Sequence, residues 1–290
     1  MWGIVPAAGN GSRIQPLAFS KELLPVGSRY DGATERPRAV SEYLLERMLL
    51  AGVDKICIVI SPGKTDIIEY YGGSIGAAHI SYTVQPRPLG LCDAIFRALP
   101  LLHPREQVIV GLPDTIWFPH DGLTLLPDHV LSFLLFPVNR PELFDAIIAD
   151  ESGRVESIQV KSGRPASHWI WGAFKMPVST MADLHDLWIR SGRHDEYVGG
   201  LVNLYLGNGG AAVGIRAGTS YVDVGTLHGY REAINLLSNS EGAANGTVLD
   251  GQSGVDERIM HLTPQAPASA SLHSKSESET RFNPKRVSGR

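Results

Sequence analysis

Cysteine is nearly absent from this chain. Cys57 and Cys92 are the only two in 290 residues, too few for a disulfide framework. Cys57 lies inside the apolar run "KICIVI" and reads as a small buried hydrophobe, and both thiols fit a reducing compartment. Long apolar stretches are missing as well. No run approaches the roughly 18 residues of a membrane span, and the N-terminus has no basic-then-apolar signal pattern. The expectation is a cytoplasmic protein with no membrane partner, in which the sequons at Asn10 and Asn245 carry no glycosylation meaning. Positive charge is not in excess: 26 Lys and Arg stand against 30 Asp and Glu, a net charge of −4. That argues against nucleic acid as a partner but leaves room for a local basic pocket. The ten histidines are scattered without metal-ligand spacing, and no nucleophilic triad stands out.

What is present is an ordinary globular composition, 43% hydrophobic and 19% charged, with apolar runs that alternate with amphipathic segments. "WGIVPA", "KICIVI", "ISYTVQ" and "QVIVGL" read as strands. "RAVSEYLLERMLLAGV", "KTDIIEYYG" and "GLCDAIFRALPLL" read as the helices between them. Repeated strand–helix–strand predicts an α/β fold with a Rossmann-like, mostly parallel sheet flanked by helices. The second half is more mixed. "VLSFLLFPV" and "WIWGAFKMP" predict strands, "AIIADESGRVESIQV" a hairpin around "ESG", and "LHGYREAINLL" a helix. In such sheets ligands sit at the C-terminal strand ends, so the loop after the first strand, Gln85 and Asp114 should share one edge. From Ser238 to Arg290 the composition turns to Ser, Ala, Gly and charge, with Phe282 the only aromatic. We expect a globular unit over residues 1–237 and a disordered tail over 238–290.

The loop is "VPAAGNGSRIQPLAFSKELLPVG", Val5 to Gly27. Its glycines let the backbone turn sharply and aim several N–H groups at one spot, and Arg13 and Lys21 add full charges that suit phosphate oxygens. The physical reading is a polyphosphate cradle; a tight strand-to-helix turn with surface cations fits the same residues. Two familiar phosphate motifs are excluded. A dinucleotide fingerprint needs a glycine where Ile14 stands, and "SPGKTD", which ends like a P-loop, lacks the leading glycine, since Ile58 occupies that place inside a strand. That segment reads as a loop and a helix start.

Taken in order, "AAGNGSR" with "SKELLPV", "QPRPLGLCDAI", "VGLPDTIWF", "ESIQVKSGRP" and "YVDVGTLHGYREA" resemble the signature blocks of the sugar-1-phosphate nucleotidyltransferases. The chain is most similar to the glucose-1-phosphate thymidylyltransferase and uridylyltransferase branch. The resemblance spans Val5 to about Leu237 and implies the nucleotide-diphospho-sugar transferase fold. It also implies a reaction: a phosphate oxygen of a sugar 1-phosphate attacks the α-phosphorus of UTP or dTTP, and pyrophosphate leaves. On this reading Ala8, Gly9, Gly11, Ser12 and Arg13 hold the nucleotide, with Gln85 and Gly90 at the base. Arg13, Lys21 and Lys161 are the catalytic cations, and Asp145, Lys161 and Gly172 line the sugar-phosphate side. Asp114 and Asp223 bind Mg²⁺. Each has a plainer reading too: Asp114 as a turn or helix cap, Gln85 as a loop amide, Lys161 as a solvated hairpin lysine, Thr226 as an N-cap.

Three features depart from the family pattern. The stretch from Arg13 to Lys21 is short, Val160 replaces a glutamate, and Asp145 replaces a glycine. The last two fall on the sugar side, so a sugar other than plain glucose, such as an amino or deoxy sugar, is the expectation they raise. The alternatives are an enzyme of the same fold using GTP or CTP and, from a different class, a catalytically silent nucleotide-sugar-binding regulatory subunit.

Overall fold

The structure is a computed structural model that describes residues 1–193 and 197–245. β1 (Trp2–Pro6) leads into the glycine-rich loop, which ends in a short 3-10 turn at Lys21–Leu23. A hairpin follows, β2 (Pro25–Asp31) and β3 (Thr34–Ala39), turning at Gly32 with φ +61°. Most of its side chains are exposed, so no apolar periodicity announces it. α1 (Val40–Leu50) ends before Gly52, whose φ of +84° continues the chain out of the helix. β4 (Lys55–Ile60), α2 (Thr65–Tyr71), β5 (Ser74–Ile75), β6 (Ala78–Val84), α3 (Gly90–Phe96) and β7 (Gln107–Gly111) complete the alternating half.

The second half contains β8 (Thr115–Phe118), β9 (Leu131–Pro137), the hairpin of β10 (Ala146–Ala149) and β11 (Val155–Gln159), and β12 (Trp169–Pro177). α4 (Val178–Arg190), α5 (Val198–Gly207), β13 (Ala212–Ile215), β14 (Ser220–Asp223) and α6 (Leu227–Asn245) follow. α6 runs beyond residue 237, where composition alone put the boundary; the rest of the expected tail, 246–290, lies outside the described residues.

Among the described residues a ten-stranded mixed sheet organises the chain, in the order β11-β10-β12-β7-β1-β4-β6-β5, with β9 on the other edge of β12 and β13 beyond it. β7, β1, β4 and β6 are mutually parallel, so their C-terminal ends share one edge. The glycine loop, Gln85 and Asp114 all leave from that edge. β12 joins the halves: Ala173 pairs with Gly111 on one side and Leu134 on the other, antiparallel to both.

The apolar runs in the central strands are continuous because both faces are covered. Trp2 and Ile4 face one core with Cys57, Val59 and residues of α3 to α5, whereas Val5 faces the other with Ile56, Ile58 and α1. A third cluster of Leu24, Val26, Val40, Tyr43, Ile116, Val224, Ala233 and Leu237 fixes α6 and the β8–β14 ribbon to the hairpin. Among the described residues no helix is long and apolar enough to cross a membrane.

Arg47 on α1 anchors that ribbon. It is fully buried, donates from Nη1 to the Tyr43 carbonyl at 2.6 Å and from Nη2 to the Trp117 carbonyl, and its guanidinium lies over the Trp117 ring. Burial lowers its pKa to about 10. Arg47→Ala removes these bonds and opens a cavity beside β8. The expected loss is about 3 kcal/mol, read as a lower urea midpoint.

Candidate functional site

β7 ends at Gly111, and Asp114 sits in the connection to β8. β8 pairs antiparallel with β14, with Asp223 opposite Thr115, and the Val224 amide donates to the Asp114 carbonyl at 2.8 Å. This ribbon brings together two carboxylates that are far apart in sequence. Both lie around one point: a Cβ on Gly225 would stand 2.7 Å from Asp223 Oδ1, 3.2 Å from Asp114 Oδ2 and 3.0 Å from Arg13 Nη2. The Gly225 amide donates to Asp223 Oδ1 at 2.8 Å. The glycine therefore keeps open a small concavity with an acid on each side.

The glycine loop supplies the counter-charge. Lys21 Nζ pairs with Asp114 Oδ2, and Arg13 Nη1 lies 3.0 Å from Asp223 Oδ2. Gly11 has φ +63°, and a Cβ there would meet Lys21 Cδ at 2.9 Å, so it supplies both the left-handed turn and the room for the lysine stem. The Ala7 amide is tied to the Val59 carbonyl at 2.7 Å and the Ile14 amide to the Gly11 carbonyl at 3.0 Å. Among the described residues, the amides of residues 8–13 between them make no hydrogen bond within the chain, so Ala8, Gly9, Gly11, Ser12 and Arg13 all have backbone donors to offer an anion.

Burial pushes the Asp114 carboxyl up, but the Lys21 ammonium against it wins and holds it below its ordinary value. Burial pulls Lys21 down, and Asp114 and Glu22 more than offset that and raise it. The two carboxylates offer hard oxygens, the donor chemistry for Mg²⁺, which is held by one or two protein carboxylates with phosphate and water completing its shell. Among the described residues no group of three or more His, Cys, Asp or Glu gathers to form a fuller cage, so the site fits an ion that shares its ligands with a phosphorylated substrate.

Gln85 follows β6 and is buried, its amide held by the Ile60 carbonyl at 2.8 Å. Its Nε2 donates to the Gly90 carbonyl at 3.0 Å and to Asp93 Oδ2 at 2.9 Å. Both side-chain donors are thus engaged, and its carbonyl oxygen is the group left for a ligand. Gly90, with φ +86°, opens α3 in a conformation that favours glycine.

On the other half of the sheet, Asp145 is buried and its Oδ1 accepts the Lys161 amide at 3.2 Å. This bond fixes the turn in which Lys161 takes φ +44°. Lys161 Nζ donates to the Leu143 carbonyl at 2.9 Å. Burial raises the Asp145 carboxyl, with the Lys161 charge opposing it. Leu143 lines a cleft of about 1160 Å³ together with Arg13, Phe144, His168, Tyr221 and Asp223, so the Lys161 turn, through its bond to the Leu143 carbonyl, borders a cleft that Asp223 and Arg13 also line. Gly172 contributes space: a Cβ there would meet Phe136 Cε2 at 2.5 Å and Tyr221 Cε2 at 2.8 Å.

Tyr221 is a site residue that sequence reasoning misses. Its ring packs on Phe136 and Phe144. Its phenol is pushed well above its usual pKa by burial and by the nearby Asp223, Asp114 and Asp145 charges, so it feels both groups of acids. Gly229 is another. A Cβ there would fall 1.8 Å from the Asp223 carbonyl, so only glycine lets the first turn of α6 seat against β14. Thr226 Oγ1 accepts the Gly229 amide at 3.0 Å, the N-cap its sequence position suggests.

Comparison with known proteins shows the family and the fold. The family model described as "Nucleotidyl transferase" matches residues 2–240. The glucose-1-phosphate thymidylyltransferase of Mycolicibacterium smegmatis is 27% identical over 250 residues, covering 83% of each chain. That of Neisseria meningitidis is 27% identical over 255 residues, 84% of this chain and 85% of the relative. Among solved structures, UTP-bound UGPase from Acinetobacter baumannii superposes with a TM-score of 0.65 at 17% identity, over 86% of this chain and 99% of that one. This last likeness is one of fold.

The Lys21–Asp114 pair has a defined pH signature. Asp114 is lowered, so its stabilising contribution is fully present above about pH 4 and is lost as the pH falls through the lowered value. Lys21 is raised, so its contribution is present below about pH 10 and is lost as the pH rises through the raised value. Lys21→Met leaves Asp114 buried beside fewer positive charges, and its carboxyl moves up. Wild type is expected to exceed Lys21→Met in stability by a margin that is flat between about pH 6 and about pH 10 and shrinks through the ordinary carboxylate range. Urea midpoints from acid to neutral pH measure it, and a margin independent of pH would mean the two groups are not paired.

Proposed function

The chain belongs to the nucleotidyl transferase family, and from that premise we propose that it transfers UMP or dTMP from UTP or dTTP to a sugar 1-phosphate, releasing pyrophosphate. The observation that carries the reading is the meeting of Asp114 and Asp223 around the Gly225 concavity, each against a cation from the glycine loop. Its catalytic unit is residues 1–237 together with the continuation of α6.

Transfer of this kind asks little covalent chemistry of a protein; it asks for alignment and neutralised charge. The unengaged amides of the glycine loop, with Arg13 and Lys21, receive the triphosphate. As phosphate oxygens arrive, Arg13 and Lys21 exchange carboxylate partners for phosphate. Asp114 and Asp223 would then hold a Mg²⁺ ion, which would supply charge neutralisation for the phosphates. Lys161, on its Asp145-bound turn, grips the sugar-linked phosphate, and the cleft beside Tyr221 and Phe144 takes the sugar. The named relatives act on glucose 1-phosphate, which is the first sugar to test; Val160 and Asp145 motivate amino- and deoxy-sugar phosphates beside it.

Gln85 narrows the base. With both Nε2 donors engaged, its carbonyl oxygen accepts the N3–H that uracil and thymine share. Cytosine carries a lone pair at N3 and meets that oxygen unfavourably. A pocket gains only about 1–3 kcal/mol from the methyl that separates thymine from uracil, so both UTP and dTTP are expected to serve.

The test is pyrophosphate release with UTP, dTTP, CTP and GTP against a panel of sugar 1-phosphates, with and without Mg²⁺. We expect release with UTP or dTTP, little with CTP, and none without a divalent ion. Asp114→Asn and Asp223→Asn should each lower kcat by roughly 100-fold or more. Gly225→Ala, which puts a methyl between the acids, should do the same with little change in Tm. Near-normal turnover in either Asn variant would remove the metal assignment.

A further inference from the structure

The segment "SPGKTD" imitates the end of a P-loop, and the glycine loop does not account for it. Its lysine is not available to phosphate. Lys64 Nζ donates to Glu22 Oε1 at 2.8 Å, to Glu22 Oε2 at 2.7 Å and to the Ala7 carbonyl at 2.7 Å. An ammonium has three donors, so all are taken, and both partners of the ion pair are buried. Two residues on, Asp66 accepts the Ser20 amide at 2.6 Å on Oδ2 and the Ser20 hydroxyl at 2.7 Å on Oδ1. The Glu22 carbonyl accepts Ser41 Oγ at 2.6 Å, and that hydroxyl lies 2.5 Å from the Tyr71 hydroxyl at the end of α2.

The residues on either side of Lys21 are therefore both gripped from α2 and the loop before it: Ser20 by Asp66 and Glu22 by Lys64. The Lys64 bond to Ala7 ties the same grip to the root of the glycine loop. A buried ion pair is a poor source of net stability compared with apolar packing, whereas a fixed backbone on both sides of a catalytic lysine cuts the freedom its side chain must lose. We propose that Lys64 and Asp66 are positioning residues, which hold the Ser20–Glu22 turn so that the Lys21 ammonium sits at Asp114 and at the arriving phosphates. This rests on the proposed role of Lys21 in nucleotidyl transfer.

The experiment compares Asp66→Ala, Asp66→Asn, the double variant Lys64→Met with Glu22→Gln, Lys21→Ala, and Lys21→Ala combined with Asp66→Ala. Removing both charges together avoids stranding one in the core and keeps the test open where Lys64→Met alone fails to fold. Kinetics are read with the triphosphate and the sugar 1-phosphate varied separately, and Tm is read in parallel. Asp66→Ala and the charge-free double variant are expected to lower kcat/KM for the triphosphate roughly 10- to 100-fold. KM for the sugar 1-phosphate should stay within about two-fold. Asp66→Asn, which can still accept the Ser20 amide, should recover most of the rate. In the Lys21→Ala background Asp66→Ala should add little, because its effect passes through the lysine. A large loss in Lys21→Ala with none in Asp66→Ala or the double variant overturns the clamp alone. Full additivity of Lys21→Ala and Asp66→Ala also overturns it. No loss in Lys21→Ala overturns the clamp and the reading of Lys21 together.

Discussion

Two carboxylates forced to face one another repel, and a fold that holds them there needs opposite charge close by. That constraint organises the region around Asp114 and Asp223. β8 and β14 pair so that the acids stand side by side, and the loop after β1 bends back so that Lys21 meets one and Arg13 the other. Each acid is balanced by one cation of the glycine loop. Gly225 keeps the space between the acids empty, and Gly11 gives the lysine stem its path.

The two halves of the sheet divide the remaining work. The parallel strands β7, β1, β4 and β6 deliver their loops to one edge, which gathers the glycine loop, Gln85 and Asp114. The antiparallel additions beyond β12 carry Asp145 and Lys161 on a separate hairpin. β12 is long enough to pair with both β7 and β9, so the two halves of the sheet share one frame. Tyr221 and the cleft beside it lie where the halves meet, and Gly172 in β12 leaves room for that ring.

Much of the strand pattern is legible in the sequence because central strands covered on both faces must be continuous apolar runs. The β2–β3 hairpin is not, since it is largely exposed and only Val26 and Ala39 commit it to a core. Arg13, Lys21, Asp114 and Asp223 stand out as charges at strand ends. Lys64 also stands out, for the wrong reason: its flanking glycine and threonine suggest phosphate, and the fold turns it inward to Glu22. Tyr221 and Gly229 give no signal at all, because an aromatic in a strand and a glycine in a helix are commonplace until their neighbours are known. Gln85 is visible as a polar residue after a strand, but the engagement of its two donors depends on where α3 begins.

The sequence by itself determined the alternation of strands and helices, the glycine loop with its two cations, and the order of the acidic and basic blocks along the chain. These are local properties, set by periodicity, turn chemistry and charge within a few residues. Only the tertiary structure decided which charges face each other: Lys21 with Asp114, Arg13 with Asp223, Lys64 with Glu22, and Lys161 beside Asp145. Pairings of that kind depend on strand register and on which face of a helix is buried, and a one-residue slip in β14 would send Asp223 to the opposite side of its ribbon.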